Sequence, residues 1–381
     1  MRSLPWSRAP LVRGVGALVS GYASAPDGRH HGAHGAEAAR VLGGEPAGGF
    51  LDFSANINPL GPPEGALHAA KKALAGEVAA YPNGRYPELC AALAGYLGVP
   101  EGTVLPTNGG AEALFLAARV AAEERSGGKA VVLDPTFSEY AAAARAAGLE
   151  PESRVARRRE DGFRFDASVL DDLDGVGVVF LCNPNNPTGD LRSRGEVLNL
   201  LERVRSAGAI LVVDEAFADF APGESVADAV DEHLYVARSF TKFFAVPGLR
   251  LGCLVARDPD RVRPFQPSWS VNVVAAAAGI AAAGDADYAE ETLAEVTLRR
   301  GELVSALHRF PGLDVYAGAA NFLLVRGPED LPEKLARRGV LVRGCAPFPG
   351  LGRRFSRIAV RGARENERLV RAIGEALGGA S

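Results

Sequence analysis

Four short apolar runs set the terms on which this chain can fold. Ala130–Leu133, Val178–Cys182, Ala209–Val213 and Leu234–Ala237 each stop abruptly at a polar cluster. Helical spacing follows the first two, at Ser138–Ala147 and Gly195–Ser206. Runs that are apolar at every position suit strands buried on both faces. Their alternation with helices predicts an α/β fold, a mostly parallel central sheet with helices on both faces. The clusters that end the runs are Asp134-Pro-Thr-Phe137, Asn183-Pro-Asn-Asn-Pro-Thr-Gly189, Asp214-Glu-Ala-Phe217 and the stretch around Lys242. Open sheets of this kind bind ligands at the carboxyl ends of their strands, so the chemistry is expected there.

The stretch Arg238–Gly252 is the most informative of these. Lys242 is flanked in sequence by Phe240, Phe243 and Phe244, and apolar surroundings disfavour an ammonium ion. The freed amine is a better nucleophile toward a carbonyl. Ser239 and Arg250 supply a hydroxyl and a fixed cation suited to a phosphate. A Schiff-base lysine beside a phosphate cradle is what pyridoxal phosphate requires. Asp214 follows Asn186 by 28 positions and Lys242 follows Asp214 by another 28, an interval long enough to bring all three to one rim. A buried carboxylate there holds a pyridine nitrogen protonated, and an amide donates to the ring's phenolic oxygen. Thr107-Asn-Gly-Gly-Ala-Glu112 opens a helix with small residues, which leaves backbone N–H groups and the helix dipole available to an anion. Asn56 and Asn58, before the proline-rich turn Pro59–Pro63, serve either the local backbone or a ligand.

The rest of the chain narrows the context. A net charge of −4 over 381 residues gives no reason to expect nucleic acid or an anionic membrane as partner. Cys90, Cys182, Cys253 and Cys345 are far apart, with no disulfide or zinc spacing, which fits a reducing, cytoplasmic compartment. His30, His31 and His34 have no carboxylate or cysteine placed to complete a metal site. The chain divides into a disordered extension (1–28), a segment joining the small domain (29–56), a large cofactor-binding domain (57–270) and a small C-terminal α+β domain (271–381). In the last, strands are expected at Asn321–Val325, Val340–Arg343 and Ser356–Val360, after a largely helical stretch from Ala275 to about Phe310.

From about His31 to its C-terminus the sequence resembles the fold-type I pyridoxal-phosphate enzymes, the class I/II aminotransferase superfamily. Within it the chain is similar to the threonine-phosphate decarboxylases of cobalamin biosynthesis, which are related to histidinol-phosphate aminotransferases. Asp52-Phe-Ser-Ala-Asn-Ile-Asn-Pro-Leu-Gly61, Ser268-Trp-Ser-Val-Asn272, Arg343-Gly-Cys-Ala-Pro-Phe-Pro-Gly-Leu351 and Ile358-Ala-Val-Arg361 carry that likeness. The resemblance implies that Lys242 carries the cofactor, that Asp214 pairs with the ring nitrogen and that Asn186 contacts the phenolic oxygen. It implies Phe137 stacked on the ring, with Gly110, Ala111, Ser239 and Arg250 on the phosphate. Tyr81 is similar to a tyrosine that reaches the neighbouring subunit's cofactor, which implies a homodimer with shared sites. His31, Gly32, Asn56, Asn186, Arg343 and Arg357 match substrate positions.

Phe217 bears on the reaction, because many of the aminotransferases have a tyrosine there. The decarboxylases are similar to this chain in having phenylalanine. The reading is decarboxylation of L-threonine O-3-phosphate, with histidinol-phosphate-type transamination as the alternative. One methyl separates threonine phosphate from serine phosphate, and no residue in the sequence marks that choice.

Overall fold

A computed structural model of the chain describes residues 49–125, 127–156 and 162–378. The expected extension 1–28, most of the segment 29–56, and His31 and Gly32 lie outside the described residues. In chain order the elements are β1 (Leu51–Asp52), α1 (Glu64–Gly76), α2 (Pro87–Leu97), β2 (Val104–Asn108), α3 (Gly109–Glu124), β3 (Lys129–Asp134), α4 (Glu139–Ala146), β4 (Glu150–Val155), β5 (Val176–Cys182), α5 (Arg194–Ser206), β6 (Ile210–Asp214), β7 (Leu234–Ser239) and β8 (Leu251–Val255). They continue with α6 (Val273–Ala283), α7 (Ala286–Leu307), β9 (Asp314–Ala317), β10 (Phe322–Arg326), α8 (Leu331–Ala336), β11 (Val340–Leu341), β12 (Arg343–Gly344), β13 (Phe355–Ala359) and α9 (Ala363–Ala376).

Seven strands form the main sheet in the order β2-β8-β7-β6-β5-β3-β4. The inner pairs from β7 to β4 are parallel, and β8 runs antiparallel to both its neighbours. Alternate residues of β3, β5 and β6 feed two separate cores. Val131, Val179 and Leu211 pack on one face and Val132, Phe180 and Val212 on the other, the period-two alternation of a strand buried on both sides. The expected mostly parallel sheet is present, flanked by helices. Helix α5 starts with a capping box, Ser193 accepting from the Glu196 amide while the Glu196 carboxylate accepts from the Ser193 amide at 2.9 Å.

Strands β2 and β4 are additions to the sequence-based expectation. Both lie at the edges of the sheet, and each contains a proline, Pro106 or Pro151. Proline cannot donate to a ladder and is tolerated at edges, which is why neither segment reads as a buried strand.

A second sheet, β12-β13-β10-β9, is antiparallel and is backed by α9, whose buried Leu369, Ala372, Ile373 and Ala376 follow helical spacing. The single strand expected at Val340–Arg343 is two. Strand β11 pairs with β1, while β12 pairs with β13, so the chain changes sheets at Val342. The expected long helix also breaks in two, at Gly284 and Asp285, where the Asp285 carboxylate accepts from the Tyr288 amide and starts α7. The tip of the β9–β10 hairpin meets the loop after β5: Ala319 N–H donates to Gly189 O at 2.9 Å. A Cβ on Gly189 would lie 2.7 Å from Gly318 Cα, so the two backbones touch without side chains between them. No helix among the described residues is long and apolar enough to cross a membrane.

Candidate active site

Parallel pairing delivers the polar clusters to one rim. Cys182 and Asp214 are register partners at the ends of β5 and β6, and Asp214 pairs in turn with Ala237 of β7. A cavity of about 480 Å³ opens there, lined by Asn186, Asp214, Phe217, Ser239 and Lys242. Gly110, Ala111 and Phe137 line it from α3 and from the turn after β3, and Asn56, Arg250, Arg343 and Arg357 complete it.

The Lys242 amine donates to Ser239 Oγ at 3.0 Å and lies 5.7 Å from the Phe217 ring centroid. Burial pushes its ammonium below the ordinary lysine range; Asp214 opposes the shift, while Arg250 and Arg357 add to it. The expected source of this apolar setting needs correcting, because none of Phe240, Phe243 and Phe244 lines the cavity. They pack instead with Tyr96, Phe220 and Tyr288. Enclosure at the sheet end, together with two arginines, does what those rings were expected to do. Asp214 moves the other way. Burial raises its carboxyl above the usual range, against the Lys242 charge and hydrogen bonds from Tyr140 and the Ala216 amide.

Beside this pair lies a tight cradle. Gly109, at the start of the 16-residue helix α3, has φ +75°, a left-handed conformation natural to glycine. A Cβ on Gly110 would come 3.1 Å from Ser239 Cβ, and one on Gly252 would come 2.6 Å from Arg238 O, Gly109 C and Gly110 N. Bare backbone is therefore what lets α3, β7 and β8 meet. Ser239 Oγ and Thr241 Oγ1 are 2.9 Å apart and both residues face the cavity. Amides at a helix N-terminus, two hydroxyls and the Arg250 guanidinium together suit a phosphate.

Across the cavity, Arg343 and Arg357 are cross-strand partners on β12 and β13. Arg357 donates through Nη1 to Asn186 Oδ1 at 2.5 Å and through Nη2 to Ser54 O at 2.6 Å. Burial and the neighbouring Arg343 bring its pKa down to about 10, and burial lowers that of Arg343 as well. The two asparagines before the proline-rich turn divide the roles left open by the sequence. Asn58 serves the fold, donating to Phe243 O at 2.7 Å and Thr292 Oγ1 at 2.8 Å. Asn56 faces the cavity, and its buried Oδ1 has no hydrogen-bond partner. Phe217 packs edge-on to Phe322 at 5.1 Å. Tyr81 lies away from this cavity, 79% exposed and against Trp269 at 4.5 Å.

Several residues here escape the sequence reading. Thr241 has a usable signal, a second hydroxyl two positions after Ser239 in the turn that follows β7. Glu139 and Tyr140 lie two and three positions after Phe137, and Cys182 is the last residue of an apolar run. Ser54 and Phe348 reach the cavity with no signal of their own.

The family model described as Aminotransferase class I and II matches residues 49–373. The chain belongs to this family. Among its relatives, a threonine-phosphate decarboxylase of Salmonella typhimurium is 39% identical over 362 residues, covering 92% of this chain and 97% of that one. A histidinol-phosphate aminotransferase of Desulfitobacterium hafniense is 36% identical over 342 residues, covering 85% and 91%. The crystal structure of the histidinol-phosphate aminotransferase from Clostridium acetobutylicum superposes with a TM-score of 0.79 at 26% identity, covering 86% of this chain and 99% of that one. As a class I and II aminotransferase-family enzyme, the chain has the fold-type I architecture and depends on pyridoxal 5′-phosphate. The residues present fit that cofactor: the cradle that a Cβ would fill is suited to a phosphate, and the lysine with a depressed pKa stands beside a buried carboxylate.

Proposed function

We propose that this enzyme decarboxylates L-threonine O-3-phosphate to (R)-1-amino-2-propanol O-2-phosphate, a precursor for cobalamin. The observation that carries the reading is the pair Arg343 and Arg357, buried side by side on one wall of the cavity. Two guanidinium forks suit a substrate that carries a carboxylate and a phosphate together. Phe217, with no hydroxyl to offer, points the same way. The similarity to the Salmonella decarboxylase supports it.

In this reading Gly110, Ala111, Ser239 and Arg250 hold the cofactor's phosphate, Phe137 covers its ring, Asp214 faces its ring nitrogen and Asn186 its phenolic oxygen. When bound, pyridoxal phosphate supplies an electron sink for the amino-acid carbon. The arginines orient the substrate, so that the bond from Cα to the carboxylate is cleaved and the Cα–H bond is spared. Carbon dioxide leaves, and the electron pair stays on the Cα side. Lys242, which gives up its proton more readily than an ordinary lysine, returns a proton to Cα as general acid. Asn56, with its vacant acceptor, takes a donor from the substrate. Tyr81 serves the partner's site in a homodimer.

The test is a product assay with pyridoxal phosphate and phosphothreonine, with phosphoserine alongside. Carbon dioxide released in step with amino-propanol phosphate, with no amino acceptor added, is the expected result. Strict dependence on 2-oxoglutarate, with glutamate formed, would overturn the reading in favour of transamination.

A further inference from the structure

Asp214 has a clamp that none of the strand-end motifs contains. Tyr140, in the first turn of α4, is fully buried. Its ring lies parallel to that of Phe180 on β5, at 5.3 Å and 8°, and edge-on to Phe137, at 5.9 Å and 85°. Its hydroxyl donates to Asp214 Oδ2 at 2.7 Å, while the Ala216 amide donates to Oδ1 at 2.9 Å. The stack on β5 fixes the ring, and the hydroxyl is thereby aimed at the neighbouring strand β6. A carboxylate has about four acceptor positions, so these two bonds leave room for a third donor from the cavity. A carboxylic acid would instead present a proton of its own.

We propose that Tyr140 is a positioning residue that keeps Asp214 ionised and turned toward the cofactor's ring nitrogen, while its place three residues after Phe137 ties that carboxylate to the ring's cover. The proposal rests on reading Asp214 as the ring-nitrogen partner. The other groups that bear on Asp214 are the Lys242 and Arg238 charges, which favour its ionised form, and the Cys182 thiol, which burial pushes up to about 12 and so leaves neutral. Removing the phenol takes away one of the bonds that lower the Asp214 pKa. The acid limb of cofactor binding therefore moves to higher pH.

The experiment titrates pyridoxal phosphate into cofactor-free protein across pH 5–9, following protein fluorescence, for the native enzyme, Asp214→Asn and Tyr140→Phe. Tyr140→Phe keeps the ring and its stack. It is expected to weaken binding roughly 10- to 100-fold at neutral pH, the usual effect of a hydrogen bond to a charged group. The midpoint of its acid limb should rise by about one unit, with the melting temperature of the cofactor-free protein unchanged. Fluorotyrosine at position 140, a stronger donor of nearly the same shape, should move the midpoint down. If Asp214→Asn is impaired while Tyr140→Phe and the fluorotyrosine protein both match the native affinity and midpoint, the role of Tyr140 is refuted. If Asp214→Asn itself binds like the native enzyme, the reading of Asp214 fails, and the proposal with it.

Discussion

Arg357 shows what a cation costs when it is taken out of water before its ligand arrives. Two of its nitrogens are spoken for by Asn186 and Ser54, its buried Nε has no hydrogen-bond partner, and Arg343 stands on the next strand. Two like charges in one wall are unfavourable until an anion sits between them, so the pair favours ligands that bring negative charge. Arg357→Lys keeps the charge but loses the planar fork. We expect KM for phosphothreonine to rise roughly 10- to 100-fold and kcat to fall with it, while the cofactor's dissociation constant stays within about twofold. Steady-state carbon dioxide release and a fluorescence titration check the two halves separately. A matching loss of cofactor affinity would move Arg357 from the substrate to the cofactor.

Between elements, the decisive junction is where α3, β7 and β8 converge on Gly252. Gly252→Ala forces a methyl against three backbone atoms at once, none of which can rotate aside. We expect a loss of about 1–3 kcal/mol in stability, measured by urea unfolding, together with weaker cofactor binding, because Gly110 N is one of the atoms displaced. Strands β5, β6 and β7 are legible in the sequence because every residue in them is buried and almost all are apolar; nothing else explains such runs in a chain of ordinary charge. Strands β2 and β4 are not, since edge strands tolerate prolines and β4 also alternates charges. The same division holds in the site. Asn186, Asp214 and Lys242 stand where strands end, so local pattern finds them. Tyr140 and Asn58 act on residues 74 and 185 positions away, and no local pattern encodes a meeting of that kind. Phe240, Phe243 and Phe244 mislead for the same reason: neighbours in sequence face a different core.

At the scale of the molecule, most of the large apolar side chains exposed among the described residues are grouped, Leu298 of α7 aside. Leu67 and Leu74 of α1, Val78 and Tyr81 just beyond it, Trp269, and Ile280 of α6, which packs against α1, are all exposed. Clustered exposure of this kind marks a surface that is covered by something else, and a second copy bringing its own Tyr81 is the occupant we propose. The native enzyme should sediment at twice the 39.8 kDa chain mass. Leu74→Asp combined with Val78→Asp should sediment as a monomer and bind pyridoxal phosphate less tightly. A monomeric native enzyme with full activity would remove Tyr81 from the site. The bare contact of Gly189 with Gly318 has its own consequence for how such an enzyme can change. It acts as a fulcrum of fixed height between the lysine's sheet and the arginines' sheet, with no room for even a methyl shim. A descendant with a new substrate must then exchange side chains on the arginine wall, because the gap between the two walls is already at its minimum.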